Sequence, residues 1–334
     1  MDDGRDRAPQ PGEAPPGPLE ASLGASLEDR AADDAVIDEL LVRTSRTFAL
    51  AIPLLPEPTH REVALGYLLF RIADTFEDAS SHWSRRRQRE ALSEFSGLLA
   101  DPTEERARRL APGWCDPPPS AHQGYLDLLA ATPTVMRAFG RLSEPARDVI
   151  AHHTARTADR MSRFVERSDE RGDLRLRDVA DLRAYCYAVA GIVGEMLTDL
   201  FLLGSPRLEA SREYLGERAA LFGEGLQLVN ILKDSASDAS EGRFYLPASV
   251  PRDEVFALAR RDLASAAEYA LELQKRGAPD GVVAFNVLPV ELARASLDRV
   301  EAAGPGAKLT RPEVLAIHDR VHRAISEGRP ALAR

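Results

Sequence analysis

Apolar residues recur every three or four positions along most of this chain, the spacing that gathers them on one face of an α-helix. Leu65, Leu68, Leu69, Ile72 and Phe76 form one such stripe. The pattern predicts helices near 33–45, 57–80, 84–100, 120–131, 134–141, 144–167, 177–203, 208–238, 252–276, 281–302 and 310–327. Pro and Gly fall mainly between them, at Pro112–Pro119, Gly204–Pro206, Pro247–Pro251, Gly277–Gly281 and Gly304–Gly306. Alternating β-branched runs bounded by hairpin turns are almost missing. The expected fold class is therefore all-α, one domain over 33–330 with long helices around a central apolar cavity. Residues 1–32 are Pro-rich at the start and offer little that could pack, so disorder is expected there.

Composition narrows the function classes. Lys plus Arg is 43 against 53 for Asp plus Glu, a net charge of −10 over 334 residues. An acidic balance argues against a nucleic-acid partner, which needs a basic stripe to displace counterions. Cys115 and Cys186 are the only cysteines and make no disulfide framework, which fits a reducing cytoplasm. The N-terminus lacks the apolar segment of a signal peptide. No uninterrupted apolar run is expected to reach the roughly 18 residues of a membrane span.

Four segments carry candidate chemistry. In Arg71-Ile72-Ala73-Asp74-Thr75-Phe76-Glu77-Asp78, Asp74 and Asp78 are one helical turn apart and Glu77 joins them. Side-by-side carboxylates repel, unless a cation sits between them. The stripe is either a solvated acidic face or a Mg²⁺ site completed by substrate phosphate. In the stretch from Gln227 to Asp238, Asn230, Asp234 and Asp238 repeat every four residues while Leu228, Ile231 and Leu232 take the other side. That helix presents either a wet surface or an internal polar site. Two such stripes facing across a cavity could hold Mg²⁺ and clamp diphosphates. Ser45-Arg46-Thr47-Phe48 offers an arginine whose planar fork suits a diphosphate, although an exposed arginine would read the same way. In Tyr185-Cys186-Tyr187-Ala188-Val189-Ala190-Gly191-Ile192-Val193-Gly194, two glycines within a helix imply close approach by another helix or by a ligand chain. The pairs His318/His322 and His152/His153 lack the partners of a zinc site, and neither cysteine has the neighbours of a nucleophile.

These four segments, in this order and spacing, resemble the squalene/phytoene synthase family of head-to-head prenyl diphosphate synthases. The resemblance runs from about residue 40 to 250 and implies the all-α isoprenoid synthase fold. It implies that Asp74, Asp78, Asp234 and Asp238, helped by Asn230, hold Mg²⁺. Ser45, Arg46, Arg71, Gln227, Asn230, Arg243 and Tyr245 would contact diphosphate or order the metal site, and Tyr185 would handle a proton or face pyrophosphate. Arg71, Asp74, Asp234 and Tyr185 would carry the catalysis.

The motif Asp74-Thr75-Phe76-Glu77-Asp78 and the tail from Phe285 to Val314 look similar to the squalene-type branch. Such enzymes condense two farnesyl diphosphates to presqualene diphosphate and reduce it with NADPH, here implying phosphate contacts at Lys308 and Arg311. Lys233 departs from the arginine common in the family, keeping the charge and losing the fork. The resemblance also allows a dehydrosqualene or phytoene synthase, or an enzyme stopping at presqualene diphosphate, and more remotely a non-catalytic prenyl-diphosphate-binding scaffold. Whether farnesyl or geranylgeranyl diphosphate is used depends on cavity depth. Without the C-terminal anchor of eukaryotic relatives, a cytoplasmic enzyme with transient peripheral membrane contact is expected.

Overall fold

The computed structural model describes residues 18–45 and 48–332, with side chains from Glu28 onward. Helices run in the order α1 (Pro18–Thr44), α2 (Phe48–Ala51), α3 (Thr59–Glu77), α4 (Arg85–Ala100), α5 (Glu104–Cys115), α6 (Gln123–Ala130), α7 (Thr132–Phe139) and α8 (Glu144–Arg167). They continue with α9 (Val179–Cys186), α10 (Ile192–Gly204), α11 (Arg212–Ser240), α12 (Arg252–Lys275), α13 (Asp280–Ala303) and α14 (Arg311–Ser326). A π turn, Tyr187–Gly191, joins α9 to α10. Among the described residues the strands are β1 (Leu174–Arg175) and β2 (Arg243–Phe244), paired in parallel. The fold is all-α, as the periodicity predicts.

The stripe read from the sequence lies inside: Leu65, Leu68, Leu69, Ile72 and Phe76 are all fully buried. Three helix starts are closed by side-chain caps. Ser84 and Thr103 accept from the backbone N–H groups of Arg87 and Arg106, and Asp178 accepts from that of Asp181. Helix α11 packs along α12, α10 and α13, while α3 lies against α8 and α4. Phe76, at the end of α3, is surrounded by Trp83, Phe95 and Trp114, with ring centroids 5.1 to 6.2 Å away. The last turn of α3, which bears Asp74, Glu77 and Asp78, is thereby anchored on a rigid aromatic base.

Three expectations need correction. Helix α1 begins at Pro18, so residues 18–32 are helical where disorder was expected. Beyond Pro18 the segment is rich in Ala, Leu and Glu, good helix formers. The helix is then pinned from within by buried Asp33, which accepts from Arg137 Nε at 2.9 Å and Arg141 Nη1 at 2.7 Å. Residues 1–17 lie outside the described residues.

Helix α5 was missed because Pro112 and Gly113 read as a break. Here Trp114 is fully buried and its Nε1 donates to Glu94 at 2.7 Å, so packing outweighs the local penalty. Finally, Val179–Gly204, taken through the π turn, is long and apolar enough to cross a membrane by length and composition, with mean hydropathy 1.6. Most of it is buried, packed against α8 and α11.

Candidate active site

The two acidic stripes sit on α3 and α11, and the fold turns both toward one chamber of about 350 Å³. Arg71, Asp74, Glu77 and Asp78 line it from α3; Gln227, Asn230, Asp234 and Asp238 line it from α11. Tyr185 enters from α9, and Arg243 and Tyr245 from the segment after α11. An apolar cavity of about 190 Å³ adjoins it, walled by side chains such as Ile52, Phe70, Met196, Leu197, Phe222 and Phe285. Arg71, Asp74, Val189, Gln227 and Asn230 border both spaces, which are therefore neighbours.

Local geometry explains how Arg243 and Tyr245 arrive. Helix α11 ends at Ser240 with Glu241 as its C-cap, and Gly242 reverses the chain at φ 79°. A side chain there would collide with Asp173, and the left-handed backbone suits glycine. The chain then pairs with β1 through Leu174 N–H to Gly242 O at 3.0 Å and Leu176 N–H to Phe244 O at 3.2 Å. This two-residue ladder fixes Arg243 between the stripes, with its guanidinium 3.7 Å from Asp78 and 3.5 Å from Asp238. It also bonds Glu241 at 2.8 Å. The Tyr245 ring stacks on Tyr185 at 4.5 Å, and the Tyr185 hydroxyl donates to Glu77 at 3.3 Å.

The charges are under strain. Burial pushes Asp74 up to about 6, with Arg71 opposing and Asp78 adding to the rise. Burial likewise pushes Asp238 up to about 6 against the pull of Arg243. Glu77 is raised well above the usual range by burial and by its neighbours Asp78 and Asp74. Burial raises the hydroxyls of both Tyr185 and Tyr245 well above the ordinary tyrosine range. Lys233 reaches Asn230 Oδ1 at 3.0 Å and Asp234 at 3.3 Å, so it stays on its own helix.

Among the described residues no three carboxylate, imidazole or thiolate groups converge as a ready-made metal centre. The donor set nevertheless suits Mg²⁺: hard carboxylate oxygens on two helices, their pKa values raised first by burial and then by neighbouring carboxylates, with room between them for phosphate oxygens.

Other residues singled out from the sequence lie elsewhere. The Ser45 hydroxyl accepts from Phe48 N–H at 2.9 Å and so caps α2. Arg46 lies outside the described residues. Lys308 and Arg311 are exposed and do not line the chamber. Their loop is nonetheless tied to α11, because Gly306 N–H donates to Lys233 O at 2.7 Å.

Sequence reasoning passed over Tyr67 and Tyr125, which flank Arg71, because neither belongs to a motif. The glycines of the segment from Tyr185 to Gly194 serve helix packing. A Cβ on Gly194 would overlap Ala219 O, and one on Gly223 would overlap Ala190 O, so the chain of α10 and the π turn lies directly against α11. The π turn is pinned from outside by Tyr187, whose hydroxyl accepts from Arg156 at 2.6 Å and donates to Glu195 at 2.9 Å. That turn carries Val189 and Ala190 into the cavity wall.

The fold and site together define an all-α bundle in which a chamber of carboxylates and arginines adjoins an apolar cavity. A family model of squalene/phytoene synthases matches residues 41–255, and the chain belongs to that family. It is 30% identical over 240 residues to a squalene synthase of Eremothecium gossypii, covering 70% of this chain and 51% of that one. It is 32% identical over 206 residues to squalene synthase BSS of Botryococcus braunii, covering 61% of this chain and 40% of the other. The chain thus spans about half the length, or less, of these curated relatives. The fold resembles TcSQS in complex with the ligand E5700, with TM-score 0.69 and 25% identity over 86% of this chain and 85% of that one. A dehydrosqualene synthase with a bound ligand shares the fold at TM-score 0.59 and 18% identity, covering 90% and 99% of the two chains.

Proposed function

We infer that the protein is a squalene-type head-to-head prenyltransferase acting on two farnesyl diphosphates. The observation that carries this reading is the convergence of both acidic stripes, Arg71 and Arg243 at the mouth of an apolar cavity. In the first half-reaction the C–O bond of one allylic diphosphate breaks. Arg71, Arg243 and Asn230 take up the charge that develops on the departing pyrophosphate. The double bond of the second molecule captures the cation, and a proton is lost as the cyclopropane closes. Tyr185, protonated and bonded to Glu77, stands where it can relay that proton or face the pyrophosphate. In the second half-reaction the remaining diphosphate leaves; NADPH, held by Lys308 and Arg311, would supply the hydride that completes squalene.

Asp74, Asp78, Asn230, Asp234 and Asp238 would hold Mg²⁺, which supplies Lewis-acid stabilisation of the leaving group. Gln227 and Tyr245 would order the diphosphates beside them. The apolar walls exclude water from the cation. Lys308 and Arg311 would hold phosphates of NADPH; the tie of their loop to α11 supports this. Ser45, and Arg46 from the same motif, would complete the proposed diphosphate set. Release of so apolar a product goes with transient contact with a membrane surface.

Incubation with farnesyl diphosphate and Mg²⁺, with and without NADPH, followed by gas chromatography–mass spectrometry, tests the reading. Squalene is expected only with NADPH. Dehydrosqualene or presqualene diphosphate in both samples would remove the reductive step. Turnover of geranylgeranyl diphosphate alone would reassign the substrate, and turnover of neither would return the chain to a binding role.

A further inference from the structure

The guanidinium of Arg71 lies over two aromatic rings. Tyr67, one turn earlier on α3, has its centroid 5.6 Å away, and Tyr125, from α6, has its centroid 5.4 Å away. Both distances fall within cation–π range. The Tyr67 hydroxyl also accepts from Arg71 at 3.4 Å and donates to Thr44 O at 2.9 Å. Nη1 of Arg71 is 3.3 Å from Asp74. Tyr67 shares the helix of Arg71; Tyr125 reaches it from a separate element.

That element is fixed in place. A Cβ on Gly124 would sit 2.5 Å from Arg43 O, so α6 rests directly on the last turn of α1, and Asp127 forms an ion pair with Arg43. Tyr125 itself stacks on His122 at 4.1 Å. One face of its ring is thus supported while Arg71 lies against the ring.

We propose that Tyr125 is a positioning residue for diphosphate binding, holding the Arg71 fork at the chamber mouth through its ring. The inference rests on the functional reading above. An arginine with a long flexible stem loses rotamer freedom when it binds, and clamping it beforehand lowers that cost. The ring is what matters, since no hydrogen bond joins the Tyr125 hydroxyl to Arg71 in the structure.

The test is titration of inorganic pyrophosphate, in the presence of Mg²⁺, into the full-length wild type, Tyr125→Phe, Tyr125→Leu, Arg71→Ala and the double variant Arg71→Ala/Tyr125→Leu. Thermal melts establish that each is folded. Tyr125→Phe is expected to bind within about twofold of wild type, and Tyr125→Leu about threefold to tenfold more weakly. In the Arg71→Ala background the leucine is expected to cause no further loss. Equal binding by wild type and Tyr125→Leu, an equal loss in both backgrounds, or a phenylalanine variant as weak as the leucine one would overturn the proposal. Parallel turnover assays separate the two readings. Wild-type pyrophosphate binding without prenyl turnover would sink the enzymatic function and leave the clamp standing. Turnover with binding indifferent to the ring would do the reverse. No pyrophosphate binding by the wild type would overturn both.

Discussion

Asp74→Asn is expected to make the metal-free protein more stable and nearly inactive. Asp74 sits beside Asp78 and Glu77 on the buried end of α3, and its carboxyl is pushed up to about 6, first by burial. A carboxyl with a folded pKa above its unfolded value favours folding only while protonated. Its charge therefore weighs on the fold above about pH 6, and the penalty fades as pH falls toward the ordinary Asp value of about 4. Asparagine keeps the shape and removes the charge. In EDTA at pH 7.5 its melting temperature should rise by about 2 °C, and the gain should vanish near pH 4. Turnover of farnesyl diphosphate should fall by about 10² to 10³, the scale expected when a preorganised electrostatic group at a leaving group is lost. Asp234→Asn should lose turnover to a similar degree. Full activity in both variants would remove the metal assignment, and a lower melting point for Asp74→Asn at pH 7.5 would show that the charge is already compensated.

Gly194→Ala should rank, with changes at Gly223 and Gly281, among the most destabilising additions of a single methyl group to the described residues. Its new carbon would overlap Ala219 O, backbone that cannot swing aside, and reciprocal Gly223 makes the same contact with Ala190 O. Helices α10 and α11 would have to separate, which costs about 3 kcal/mol or more. They also frame the cavity, so the displacement should cut turnover as well. The control is Gly216→Ala on α11, where nothing lies within 4 Å of the added carbon. That change should raise stability by about 0.5 to 1 kcal/mol through helix propensity. Urea unfolding of the pair measures the contrast. Similar stability in the two variants would mean that α10 and α11 are not held at backbone contact.

The local pattern sufficed for what is local. Helical periodicity placed the long helices, Glu144–Arg167 among them, and the two acidic stripes could be read as one-sided because side chains four apart share a helix face. What it left open in each stripe was whether the polar face met water or another helix. Only the packing of α3 and α11 around a common chamber decided that, since facing depends on how buried surfaces fit across residues far apart in sequence. Arg243 and Tyr245 depend on a two-residue strand pair too short to leave an alternating signal. Tyr125 depends on α6 docking against α1 through Gly124. Trp114 overrode the Pro112-Gly113 break because burying a large ring outweighs a local backbone penalty. The sequence by itself determined the helices and the chemical character of their faces; the tertiary structure decided which faces meet, because close packing selects among locally equivalent arrangements.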